Sequence, residues 1–89
     1  MELAGAESQV WTIPVQIAET TDETQALAKL TIGQREFAGF GMARRNPSDP
    51  SVPRIGEELA VARALSELSH KLTEEATRLI EEHEPGAGK

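Results

Sequence analysis

Five basic side chains crowd the middle of an acidic chain. Lys29, Arg35, Arg44, Arg45 and Arg54 fall between residues 29 and 54, against only Glu36 and Asp49, a local charge of +3. Residues 1–28 carry five acids and no base, and residues 55–89 carry eight acids and four bases. The 89-residue chain as a whole is −6, which argues against a general polyanion binder. The central cluster fits a smaller anion site. Arginine forks match phosphate, so RNA is the natural ligand class. Arg44 and Arg45 close an expected strand, and Arg54 directly precedes an expected helix whose first N–H groups are unpaired. The candidate nucleic-acid-binding residues are therefore Arg44, Arg45 and Arg54, with Arg35 and Lys29. The competing reading has these arginines pairing with Glu57 and Glu58, placed in the first helical turn, and holding the loop before the helix.

Other chemistry is poorly provided for. No cysteine is present, which removes disulfides, thiolate nucleophiles and thiolate metal sites. His70 and His83 are too far apart for a metal pair. Nucleophilic catalysis needs a nucleophile, a base and an orienting group in reach, and Ser66 and His70, four residues apart, form only an incidental pair on an exposed helix face. The pairs Glu57-Glu58, Glu74-Glu75 and Glu81-Glu82 are adjacent and point apart on a helix, so they make no acid–base dyad. Gly39-Phe40-Gly41 lies within a strand rather than between a strand and a helix, so it is no phosphate loop. The expectation is a protein that is not an enzyme, with no cofactor, no metal and no small-molecule substrate. An N-terminus without a basic, apolar leader, the lack of any long apolar run and the lack of cysteine point to the cytoplasm and away from membranes.

The elements that must position these residues are legible from periodicity. Residues 1–9 and 84–89 read as flexible tails around one domain at 10–83. From Val10 the pattern alternates, with Trp11, Ile13, Val15 and Ile17 on one face of a strand. Pro14 cannot donate to a ladder, which places this strand at an edge or turns that position away from its neighbour. After a polar turn at 19–24, a second strand runs from about Gln25 to Ile32. Gly33-Gln34 reads as a tight hairpin loop, and a third strand runs from about Arg35 to Ala43. If the loop is two residues, Ile32 pairs with Arg35, Leu30 with Phe37, Ala28 with Gly39 and Ala26 with Gly41; a three-residue loop would shift this register. One face of the hairpin is then made of very small residues, and a helix can approach it closely.

Residues 45–54 hold three prolines and form a loop. A helix starts near Ile55 or Gly56. Its apolar stripe is Val61, Leu65, Leu68, Leu72, Ala76 and Leu79, widened by Ile55, Leu59 and Ala62. Thr73 before Glu74-Glu75 is a possible cap for a new helix, so a break near Leu72 is one outcome. The fold class is α+β: a three-stranded antiparallel sheet followed by one C-terminal helix or two, β-β-β-α(-α). A domain this small, without disulfide or metal, commonly gains stability by self-association. The outer sheet face carries Leu27, Ala38, Phe40 and Met42 and is too apolar for water. Leu27, Phe40 and Met42 are the candidate homodimer interface. Trp11, Phe37 and Phe40 are assigned to core or interface, not to base stacking.

One segment carries a family likeness. Gly39-Phe40-Gly41-Met42-Ala43-Arg44, Asn46-Pro47-x-Asp49, and the run from Val52-Pro53 through Glu58-Leu59-Ala60 to Leu68 resemble a family of short actinobacterial proteins of unknown function. Trp11-Thr12 and the strand from Thr24 to Leu30 fit it too. The resemblance implies a β-β-β-α unit related in shape to double-stranded-RNA-binding domains and ribosome hibernation factors. It also implies a homodimer associated with dormancy or stress, with no catalytic residues. Two functions follow as alternatives. One is a homodimeric stress-associated protein that binds the ribosome or RNA through the basic residues. The other is a dimeric protein–protein adaptor that binds no nucleic acid.

Overall fold

The computed structural model describes residues 7–48 and 52–83. The two expected tails fall largely outside them, at 1–6 and 84–89, as do Asp49, Pro50 and Ser51 of the proline-rich loop. The elements are β1 (Val15–Glu19), β2 (Glu23–Ile32), β3 (Arg35–Arg44) and α1 (Pro53–His83). The strands form one antiparallel sheet in the order β1-β2-β3. The architecture is the α+β one expected, with a single helix.

The hairpin is a consequence of Gly33. Its φ is +61°, and no other described residue has a positive φ. A positive φ at the first of two loop residues is the II′ geometry, whose twist matches that of the strands. The register follows: Ile32 faces Arg35, Leu30 faces Phe37, Ala28 faces Gly39 and Ala26 faces Gly41. The β1–β2 turn is built on Thr20, whose N–H donates to the Glu23 carbonyl and whose hydroxyl accepts from the Asp22 and Glu23 N–H groups.

Strand β1 is shorter than the alternation suggests, starting at Val15 and not at Val10. Pro14 explains it. Its carbonyl accepts from the Lys29 N–H at 3.1 Å, so its proline nitrogen also faces β2, where a donor is missing. The strand does lie at an edge.

The helix starts at Pro53, earlier than expected. Proline suits the first helical position, where its missing N–H would have no partner anyway. Glu57 and Glu58 therefore fall beyond the first turn, which holds no acid. No break occurs at Thr73. Its hydroxyl donates to the Ser69 carbonyl at 3.1 Å, and Thr77 does the same to Thr73. Bonding back along the helix replaces the capping role.

The core lies between α1 and the small-residue face. It consists of Ala26, Ala28, Leu30, Ala43, Ala60, Ala64 and Leu68, with Leu30 and Leu68 its largest fully buried side chains. Gly39 and Gly41 touch helix backbone. A Cβ on Gly39 would stand 2.6 Å from the Leu68 nitrogen, and one on Gly41 would stand 2.9 Å from the Arg63 carbonyl carbon and nearer still to the Ala60 oxygen. The buried helix face is Ala60, Ala64 and Leu68, rotated from the stripe read off the large apolar residues. Leu59 and Leu65 are 45% and 40% exposed. Close approach selects the smallest residues for the contact line and leaves the larger ones on its flanks.

The free edge of β3 is occupied by helix side chains. Lys71 donates to the Ala38 carbonyl at 2.7 Å, the Phe40 N–H donates to Glu67 at 2.7 Å, and Arg63 donates to the Met42 carbonyl at 2.8 Å. Arg63, Glu67 and Lys71 are four apart and form one helix row. They meet the alternate, outward-pointing backbone groups of the strand. Glu67→Ala should speed amide exchange at Phe40 and leave Leu30, in the β2–β3 ladder, unchanged. Equal exchange at Phe40 in both proteins would remove the edge-sealing role.

Candidate functional site

The structure spreads the five basic candidates over both ends and both faces of the sheet. Lys29 lies on the outer face, 3.5 Å from Glu36. Arg35 sits at the hairpin end, paired with Glu75 on the helix and stacked 5.6 Å from the centroid of Phe37. Arg44, Arg45 and Arg54 are at the opposite end. With β3 rising about 3.4 Å per residue, roughly 30 Å separates Arg35 from Arg44. Arg44 pairs with Glu23 at 3.6 Å and Arg54 with Glu58 at 2.7 Å, one turn along the helix. Arg45 is partly buried, and its N–H donates to the Asp22 carbonyl at 2.8 Å, tying the end of β3 to the β1–β2 turn. The Arg54–Glu58 pair is the contact that the competing, structural reading expected. Such exposed pairs are worth little individually.

Arg44 and Arg45 line an open cleft of about 470 Å³ between the β1–β2 turn and the start of α1. Its polar wall also includes Glu19, Asp22 and Glu23, and its apolar wall Val52, Ile55 and Leu59. Thr24 is buried at its base, and the side of Gly56 faces its hydroxyl. Three carboxylates beside two guanidiniums make a mixed surface, not a basic one.

Near this cleft Glu19 faces Glu57. Partial loss of hydration, then the shared hydrogen bond and the charge of Glu57, hold the Glu19 carboxyl above its ordinary 4.5. The folded state therefore binds this proton more tightly than the unfolded chain. Glu19 is exposed, so water screens the repulsion and its ionised form costs the fold only a little at neutral pH, a cost that lifts as pH falls through the raised pKa toward 4.5. Glu19→Gln should raise the urea midpoint at neutral pH and flatten this part of the stability profile. A variant no more stable than the parent at neutral pH contradicts the pairing.

The apolar candidates are distributed unevenly. Leu27 faces Phe40 across the ladder, and Met42 faces Gln25. Phe40 is 48% exposed, while Leu27, Ala38 and Met42 are half-buried. Lys29, Thr31 and Glu36 interrupt this patch. Sequence reasoning missed a second apolar area on the helix side of the sheet. One helix is about 10 Å wide and strands are about 4.8 Å apart, so one helix covers roughly two strands. Here α1 lies on β3 and β2 and barely reaches β1. Ile17 and Trp11 are left 45% and 56% exposed. Leu65 stands on the flank of α1 opposite the Arg63–Glu67–Lys71 row. The signal for this was available in the count of one long helix against three strands.

Among the described residues, no helix is long and apolar enough to cross a membrane. A family model described as Rv2632c-like matches residues 9–87. The uncharacterised protein Mb1767 of Mycobacterium bovis is 44% identical over 79 residues, covering 86% of this chain and 84% of that protein. The uncharacterised protein Rv2632c of Mycobacterium tuberculosis is 42% identical over 78 residues, covering 85% and 84%. A crystal structure of Rv2632c superposes with a TM-score of 0.83 at 37% identity, over 91% of this chain and 96% of that one. Both the alignments and the shared three-strand, one-helix fold agree: this chain belongs to the Rv2632c-like family.

Proposed function

We propose that this chain is a non-catalytic association module that works as a homodimer and offers apolar surface to a protein partner. The observation that carries this reading is the half-covered sheet. One helix on three strands leaves Ile17 and Leu65 exposed on the same side as the core, with Trp11 exposed just before β1. Exposed apolar clusters of this kind mark interaction surfaces. The core itself is made mainly of alanines and two leucines, so covering this area adds stability that a small domain needs. His70 is exposed on the helix, where it pairs with Glu74 at 3.2 Å.

A second reading rests on a different observation, the grouping of Arg44, Arg45 and Arg54 at one end. On this reading the chain is a ribosome- or RNA-binding protein of dormant or stressed cells, as the likeness to hibernation factors implies. Glu19, Asp22 and Glu23 beside the two cleft arginines weigh against it, because phosphate would approach through their field.

The test is light scattering of the purified chain together with co-sedimentation with ribosomes at low and moderate salt. An Arg44→Ala/Arg45→Ala/Arg54→Ala variant, checked for folding by circular dichroism, runs beside it. The association reading expects a dimer mass that persists at raised salt and no pelleting by either protein. Salt-sensitive pelleting that is abolished in the variant would replace it with the second reading, and a monomer mass would remove the homodimer from either.

A further inference from the structure

The two edges of the sheet are treated differently by this chain. The outer edge of β3 is sealed by the Lys71, Glu67 and Arg63 bonds to Ala38, Phe40 and Met42. A strand cannot add there without displacing all three. Among the described residues, none covers the outer edge of β1 in this way. Because Pro14 bonds Lys29, residues 14, 16 and 18 turn their backbone groups toward β2. Ile13, Val15, Ile17 and Glu19 then turn theirs outward. The proline spends its missing donor on the inner side, so the outer row of N–H groups is complete. Among the described residues, none bonds to the outward backbone groups of Val15, Ile17 or Glu19. Natural edges are usually blunted by charge, proline or a covering element. Here β3 is covered, while β1 offers Val15, Gln16, Ile17 and Ala18 before its single charge at Glu19.

We propose that β1 pairs antiparallel with β1 of a second copy, on a two-fold axis at Ile17, to make a continuous six-stranded sheet. This rests on the homodimer reading above and names the surface that makes the dimer. Charge and symmetry select the occupant. About Ile17, Val15 of each copy faces Glu19 of the other and Gln16 faces Ala18, so no carboxylate meets a carboxylate. The acidic turn from Glu19 to Glu23 of one copy lies beside the uncharged stretch Trp11-Thr12-Ile13-Pro14 of the other. A parallel pairing would align Glu19 with Glu19 and would not close. The antiparallel pairing is isologous and consumes both open edges, leaving a sealed β3 at each end. Assembly therefore stops at two copies.

The chain has no cysteine, so single substitutions report cleanly. On the axis the paired Cα atoms stand about 5.5 Å apart, within disulfide reach. Ile17→Cys should convert to covalent dimer on mild oxidation, and Gln34→Cys, at the hairpin tip, should not. Ile17→Lys sets two ammonium groups across the axis. It should give a monomer mass with an unchanged dichroism spectrum, since Ile17 is already 45% exposed in one copy. If the parent is monomeric at every concentration tested, the homodimer reading and this inference both fall. If the parent is dimeric but Ile17→Cys cross-links no better than Gln34→Cys, the dimer stands and the β1 seam is overturned.

Discussion

Gly41→Ala should abolish the folded state at room temperature. A Cβ at this position would stand 2.9 Å from the Arg63 carbonyl carbon and closer to the Ala60 oxygen and Ala64 nitrogen. All three are backbone atoms in the middle of a continuous helix, so no side-chain rotation relieves the clash. The helix must lift from the sheet along the line where Ala60, Ala64 and Leu68 are buried. Overpacking in a rigid core costs about 1–3 kcal/mol, and more where backbone must move. A domain of this size holds on the order of 4–13 kcal/mol in total. We expect the urea transition of Gly41→Ala to be lost or displaced close to zero denaturant. Gly33→Ala is the informative companion. A Cβ there meets nothing within 4 Å, but the φ of +61° is unfavourable for alanine. Its cost should be about 1–2 kcal/mol, with the transition intact. If Gly41→Ala proved as mild as Gly33→Ala, the close helix–sheet contact described above would be wrong.

Leu68→Ala should cost about 3–5 kcal/mol, whereas Leu65→Ala in dilute solution should cost about 1 kcal/mol. Leu68 is 2% exposed and shares with Leu30 the role of large core side chain. The remaining core residues are alanines, which have little freedom to close around a cavity. Leu65 is 40% exposed and lies on the flank of the helix. The two leucines are three residues apart and equal in hydrophobicity, so periodicity alone ranks them together. Chemical denaturation of both variants decides the helix orientation. Equal costs would restore the stripe centred on the larger residues.

The uncovered β1 half has a consequence for how such a small domain is maintained. A second helix would be needed to finish the sheet from within one chain, and α1 is instead one unbroken element that runs past the strands. At about 1.5 Å per residue its 31 residues span roughly 46 Å, against about 33 Å for the ten residues of β3. Glu75 meets Arg35 at the start of β3, so the last two turns project beyond the sheet. Ile80 on that overhang is 61% exposed. Length was used for reach and not for folding back onto β1.

Much of the fold was legible in the residues. Gly33 before Gln34, with alternating residues on both sides, settles the hairpin register pair by pair, because a two-residue loop has no slack. The small face of Ala26, Ala28, Gly39 and Gly41 follows from that register and already requires a close helix. Pro14 places β1 at an edge. These are local constraints of backbone geometry, and they survive into the tertiary structure unchanged. The strand and helix ends were less legible: Pro14 delays β1 to Val15, and Pro53 advances α1 by two or three residues.

The site was much less legible, for a physical reason. Proximity along the chain placed Lys29, Arg35, Arg44, Arg45 and Arg54 in one basic centre. In three dimensions an extended strand carries Arg35 and Arg44 roughly 30 Å apart, since each strand residue adds about 3.4 Å. Acids distant in sequence, Glu75 for Arg35 and Glu23 for Arg44, then come within pairing distance. A charge count along the chain cannot register those partners. Hydrophobic size likewise chose Val61 and Leu65 for the contact line, whereas packing chose Ala60 and Ala64, because two backbones meet most closely where side chains are smallest. The order of elements, the hairpin register and the composition of the buried face are all set by backbone geometry and local spacing, and so can be read along the chain. Which way the helix rolls, which sheet edge it seals and which it leaves open emerge from the packed molecule. Those depend on contacts between residues far apart in the chain, and no local pattern encodes them.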